Sequence, residues 1–249
     1  MNSHVQIGNW YIILLIISIA LNILLMFGAG IIIFKHRQSV YNALLLLLKR
    51  RNGNIKIAIG GDSRMENGNW SKGLLRSDVR NCAIGGSLTM SYLGNLQETV
   101  IKYNPKVCIL QLGINDIRNR VEKNTTLKNY IEIIDTLQES RILPVVTSII
   151  PIRKDYWQDE ISETEINIKV DSLNQHLLLI CEERNIPFWD LNAGLTEKNR
   201  LKRECTFDGI HLNDHGYDLL YRTLNGYLKN RAFSLETKIQ LTSPYTSKL

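Results

Sequence analysis

Charge is missing from the beginning of this chain. Between residues 10 and 34 there is no Asp, Glu, Lys or Arg, and the nine residues ahead of that run hold no Lys or Arg either. Filled almost entirely by Leu, Ile, Ala, Gly, Met and Phe, the run is long enough to cross a hydrocarbon core of ~30 Å as a helix. A cleaved signal peptide would need a basic start and a shorter apolar core of ~7–15 residues. A buried core helix would show an amphipathic stripe, which this run lacks. The expectation is a transmembrane anchor within residues 1–37, touching the lipid bilayer. Lys35, His36 and Arg37, then Lys49, Arg50 and Arg51, follow the span. By the positive-inside bias they place the remainder of the chain in the cytoplasm. Asn22, one helical turn after Ser18, is the polar feature of the span. It is read either as a tolerated amide or as a contact for a homo-oligomer. The connector 38–54, apolar and then basic, is expected at the membrane surface.

Other absences narrow the class further. The four cysteines show no disulfide-framework spacing, so Cys82, Cys108, Cys181 and Cys205 are expected as free thiols. The net charge of +6 is concentrated near the apolar run, and no nucleic-acid motif or basic and aromatic stripe follows; membrane proximity accounts for it without nucleic acid. No repeat and no low-complexity linker interrupts the chain, and 249 residues suffice for one α/β domain with a substantial core.

What is present after residue 54 is alternation. Strand-like apolar runs at 55–61, 79–85, 106–113, 144–150 and 187–191 are separated by amphipathic stretches at 70–76, 88–103, 127–141, 165–184 and 214–229. This pattern predicts a doubly wound α/β fold with a parallel five-stranded sheet over residues 55–230. Residues 231–249, polar and rich in Thr, Ser and Lys, are expected as a loose tail.

In open parallel sheets the working residues gather at the carboxyl ends of the strands, and this sequence places its unusual residues there. The first strand ends in Gly60-Gly61-Asp62-Ser63, the second in Gly85-Gly86-Ser87, and the third in Gly113-Ile114-Asn115-Asp116; Asp208-Gly209-Ile210-His211 precedes the last helix. Each type has a role in acyl transfer. Ser63 would attack a carbonyl carbon, His211 would accept its proton, and Asp208 would orient the imidazole. The N–H of Ser63, the N–H of Gly86 or its neighbour Gly85, and the Asn115 amide would hold the oxyanion. Asp62 and Asp116 are read as binding loop amides.

Taken together, these blocks resemble the SGNH hydrolases, the GDSL-type esterase and lipase family. They occur in order over about residues 55–228. The spacing is similar to the platelet-activating-factor acetylhydrolase-like and bacterial thioesterase/lysophospholipase-like branches. The tripeptide Gly-Asp-Ser alone arises by chance in roughly one chain in fifteen of this length; all blocks in order are far more specific. The resemblance implies a three-layer flavodoxin-like fold. By position Ser63, Asp208 and His211 take the catalytic roles and Gly86 and Asn115 the oxyanion roles. No metal or organic cofactor is implied.

Two positions depart from the family pattern: Arg64 stands where an apolar residue is usual, and Ser87 follows Gly86. Arg64 reaches either an anionic substrate group or a salt-bridge partner. The connection at 150–164 carries Arg153, Tyr156 and Trp157. It is expected to cover the mouth of the site, with Arg153 and Trp157 touching the substrate. Trp70 is read as pocket lining or ordinary packing. Asn213 and Asp214 are expected to cap the final helix, which favours capping over metal binding for the His211/His215 pair. The function implied is a serine esterase acting through an acyl-serine intermediate on a small-molecule, glycan or lipid ester, namely an O-acetylated sugar or a lysolipid. The alternatives are an O-acyltransferase using the same residues and a noncatalytic membrane scaffold.

Overall fold

The computed structural model describes residues 14–23, 25–26, 55–155 and 161–229. The chain divides into two compact units, Met1–Arg51 and Asn52–Leu249. In the first, residues 14–23 and 25–26 are helical, and their large apolar side chains are exposed by 51–76%. The Asn22 amide donates to the Ser18 carbonyl one turn back, at 2.8 Å, so its polarity is satisfied within the helix. Among the described residues no helix is long and apolar enough to cross a membrane. The ends of the expected span, the connector 38–54 and the tail 231–249 lie outside the described residues.

In the second unit, β1 (Ile57–Gly61), β2 (Val79–Asn81), β3 (Val107–Gln111), β4 (Leu143–Thr147) and β5 (Phe188–Trp189) form a parallel sheet in the order β2-β1-β3-β4-β5. All five residues of β1 and of β3 are buried, as continuous apolar runs covered on both faces must be. Alternation along the strands then sorts the core. Ile57, Ile59, Val107 and Ile109 face one layer, whose helices are α1 (Ser63–Glu66), α2 (Trp70–Gly73) and α8 (Asp214–Lys229). Ala58, Cys108 and Leu110 face the other. There lie α3 (Thr89–Gly94), α4 (Leu96–Thr99), α5 (Ile114–Arg118), α6 (Lys123–Glu139) and α7 (Glu163–Glu183). The result is the three-layer doubly wound architecture expected from the alternation.

Several details differ from the sequence reading. The helix expected over 88–103 breaks into α3, α4 and a 3₁₀ turn at Ile101–Tyr103. Asn95, which follows Gly94 and ends α3, turns its amide back to the Ser91 carbonyl at 2.8 Å. A hairpin of β6 (Thr196–Glu197) and β7 (Arg200–Leu201) was not legible. Its two-residue turn puts Lys198 and Asn199 at φ 48° and 58°, the twist a tight hairpin prefers, without the Gly that would announce it. Trp70 is 2% exposed and donates from Nε1 to the Met65 carbonyl at 2.7 Å, so it packs the core. All four thiols are free and buried.

Strand order 2-1-3-4-5 reverses direction between β1 and β3, and that reversal opens the crevice where ligands of such sheets bind. Ser63 follows β1 and Asn115 follows β3, so the topology alone brings these two residues to the same edge.

Candidate active site

The turn that delivers Ser63 has little room. Gly61 sits at φ +153°, and a Cβ there would lie 2.5 Å from the Gln111 carbonyl on the adjacent strand; only glycine allows this approach. Asp62 then caps α1, accepting the Arg64 N–H at 3.0 Å. Ser63 becomes the first residue of that helix.

His211 arrives from the other end of the chain on a short, tightly bonded loop. Asp208 Oδ1 accepts the backbone N–H of His211 at 2.7 Å and of Ile210 at 2.9 Å. Thr206 braces the same loop, donating to the His211 carbonyl at 2.6 Å and accepting from Gly209 N–H at 2.8 Å. After the loop, Asn213 caps α8 by accepting the Gly216 N–H at 3.0 Å. The three side chains then stand in series: Ser63 Oγ is 2.9 Å from His211 Nε2, and His211 Nδ1 is 2.6 Å from Asp208 Oδ2. Burial pushes the Asp208 carboxyl up, but the bonds from the His211 ring and the two loop amides outweigh it and hold it below the usual carboxylate range. An ionised carboxylate on Nδ1 leaves Nε2 free to take a proton from the hydroxyl.

Asn115 donates from its side-chain amide to the Ser87 carbonyl at 3.1 Å, tying the β3 edge to the glycine loop after β2. A Cβ on Gly85 would lie 2.5 Å from Glu66 Oε2 and 3.8 Å from Ser63 Cβ, whereas Gly86, at φ +73°, faces open space. Both glycines therefore sit in the loop beside Ser63. Asp116 is buried and accepts Thr89 Oγ1 at 2.6 Å and Thr89 N–H at 3.0 Å. Burial raises its carboxyl above the ordinary value, against those bonds. Like Asp62, it serves loop structure.

Two expected substrate contacts are corrected. Arg64 is 1% exposed; its Nη1 donates to the Ile150 carbonyl and its own carbonyl accepts the Tyr217 hydroxyl at 2.7 Å. The side chain is thus held against the segment that follows β4, and burial lowers its pKa to about 10. Arg153 is 8% exposed. Its guanidinium is spent on the Leu201 carbonyl at 2.6 Å and on Asp155 and Glu197, each at 3.0 Å. Its backbone N–H donates to the Gly209 carbonyl at 2.8 Å, so it steadies the Asp208 loop from behind. Trp157 and Tyr156 lie outside the described residues. Sequence reasoning missed Tyr217 and the loop-bracing side of Arg153, whose partners Arg64 and Leu201 lie 153 and 48 positions away and leave no local pattern; it also missed Thr206, whose hydroxyl braces residues only three and five positions on.

A cleft of about 590 Å³ opens beside His211, between Asn67 at the end of α1 and the start of α8. Phe207, 61% exposed, lines it and stacks on the His211 ring, with centroids 5.9 Å apart and planes 14° apart.

A doubly wound sheet with hydroxyl, imidazole and carboxylate in series at its switch point defines the class of α/β ester hydrolases. The chain belongs to the GDSL-like lipase/acylhydrolase family, whose family model matches residues 57–219. A GDSL-like lipase from Bacteroides thetaiotaomicron shares the fold, with a TM-score of 0.62 at 21% identity, over 77% of this chain and 95% of that one. So does an acetyl xylan esterase, with a TM-score of 0.56 at 19% identity, over 70% of this chain and 100% of that one. Among curated proteins, the N-acylneuraminate cytidylyltransferase of Streptococcus agalactiae serotype V is 26% identical over 140 residues, 56% of this chain and 32% of that protein. The chain thus spans about a third of the length of the curated relatives it matches.

Proposed function

We propose that the protein hydrolyses a small acyl ester through an acyl-serine intermediate. The observation that carries this reading is the unbroken series Ser63 Oγ, His211 Nε2, His211 Nδ1, Asp208 Oδ2, with spacings of 2.9 Å and 2.6 Å at its two hydrogen bonds. Ser63 Oγ attacks the carbonyl carbon as its proton passes to His211 Nε2. The tetrahedral oxyanion is held by the N–H groups of Ser63 and Gly86, with Gly85 as the alternative, and by Asn115. On collapse the C–O bond to the alcohol breaks and His211 returns the proton to the departing oxygen. Water then attacks the acyl-serine by the same route, releasing the acid and restoring Ser63.

The test is fluorophosphonate labelling of the full-length protein beside Ser63→Ala, followed by release of acid from acetyl and longer acyl esters. Labelling lost in the variant, with ester turnover by the wild type, supports the mechanism. No labelling of folded wild-type protein overturns it.

The membrane anchor belongs to the same proposal. It is supported by the uncharged run from 10 to 34 and by the basic residues that follow it, which favour a cytoplasmic catalytic domain. Retention in the membrane after alkaline carbonate extraction, and a reporter fused to the C-terminus, test the anchor and its orientation.

A further inference from the structure

We propose that the cleft beside His211 is the alcohol-side subsite of the esterase, and that it takes an uncharged sugar ring against the exposed face of Phe207. This rests on the hydrolase reading above and adds the substrate class.

The direction of the substrate follows from the chemistry. Its carbonyl oxygen must face the oxyanion donors, and the departing oxygen must come within reach of His211 Nε2 to receive the proton. The alcohol moiety therefore leaves past the imidazole. The cleft is lined by Phe207 and Leu212, which flank the Asp208 to His211 loop, and not by Ser63, His211, Gly85, Gly86 or Asn115; it meets the reacting pair through Phe207, whose ring stacks on the imidazole. Asn67, four residues after Ser63, forms the facing wall.

The lining identifies the alcohol. An aromatic ring left 61% exposed beside the reacting pair offers a flat apolar face, of the kind that the C–H face of a pyranose covers. Around it stand Asn67, Asp214 and His215, all exposed and, among the described residues, with no hydrogen-bond partner for their side chains. Amide, carboxylate and imidazole together supply donors and acceptors for hydroxyl groups. The described lining contains Asp214 and no Lys or Arg. A lysolipid would place a phosphodiester on this side of the ester, next to that carboxylate and without a cation to receive it. The charge balance thus favours a sugar ester over a lysolipid.

The experiment compares kcat/KM for methyl 6-O-acetyl-glucopyranoside, cyclohexylmethyl acetate, ethyl acetate and 1-palmitoyl-lysophosphatidylcholine, in wild type, Phe207→Ala, Phe207→Trp and Asn67→Ala. Phe207→Ala is expected to lower the ratio of sugar ester to ethyl acetate about three- to tenfold, with Phe207→Trp restoring it. Asn67→Ala should lower the ratio of sugar ester to cyclohexylmethyl acetate about tenfold, because the hydroxyls lose a partner. Equal losses on every ester would mean that Phe207 only supports His211, and would overturn the subsite. A preference for the lysolipid, or ratios unmoved in all variants, would overturn it too. Fluorophosphonate labelling of the wild type, read in the same samples, separates failure of the subsite from failure of the hydrolase mechanism.

Discussion

Replacing Arg64 by Met tests how the buried charge under the serine is balanced. Arg64 and Asp62 are each 1% exposed and flank Ser63. Burial raises the Asp62 carboxyl above its ordinary value, and the charge of Arg64 is the strongest influence working against that rise. Asp62 Oδ2 and Arg64 Nε and Nη2 have no hydrogen-bond partner, so neither charge is fully compensated. The two side chains share no direct ion pair, so removing one of these buried opposite charges costs at most about 3–5 kcal/mol, whereas removing both is often neutral. The sign of the pH dependence follows from Asp62. A carboxyl with a raised folded pKa favours folding below the unfolded pKa, and that advantage is lost as pH rises through the folded value. Arg64→Met lifts the folded value further, so its destabilisation should be larger at pH 8 than at pH 5. Asp62→Asn keeps an oxygen to cap α1, and Asp62→Asn/Arg64→Met should regain most of the loss at pH 8. Urea unfolding of the three variants at both pH values measures this. A loss independent of pH, or a double variant no better than Arg64→Met, would refute the coupling.

Three further outcomes follow. Asn115→Ala should lower kcat about 10²–10³-fold with KM little changed, because one oxyanion donor is lost; steady-state kinetics on an acetyl ester decide it. Asp208→Asn should lower kcat by about 10⁴, as the imidazole loses its orienting anion. The stability that wild-type Asp208 contributes, complete above the unfolded carboxylate pKa and lost as pH falls through its lowered folded value, should vanish from the acid limb of the variant's unfolding curve. Arg153→Ala should cost about 1–3 kcal/mol in thermal unfolding, since its guanidinium holds Leu201, Asp155 and Glu197. KM for ethyl acetate should stay within about twofold, because that guanidinium does not face the substrate.

The parts of this protein legible in the sequence are those governed by short-range periodicity. Ile57 to Gly61 and Val107 to Gln111 read as central strands because burial on both faces demands an unbroken apolar run. The start of the final helix at Asp214 was legible, since Asn213 is a strong cap and the apolar positions recur at helical spacing. Residue type and position at the strand ends also picked out Ser63, Asp208 and His211, which the fold brings into one hydrogen-bonded series. The hairpin Thr196 to Leu201 was not legible, being too short for a period and turning on Lys198 and Asn199 rather than glycine.

Where the side chains of the cations point was decided by tertiary structure alone. Arg64 and Arg153 carry charge beside the site in sequence, and a charge in a loop is most simply read as facing solvent. Folding instead buries Arg64 against the Ile150 carbonyl in the segment after β4, and sets carboxylates from two segments around Arg153. The cleft beside His211 has the same origin. It joins Asn67 to Phe207 and His215 across about 140 residues, and no local pattern can encode a surface whose two walls meet only when the sheet is complete.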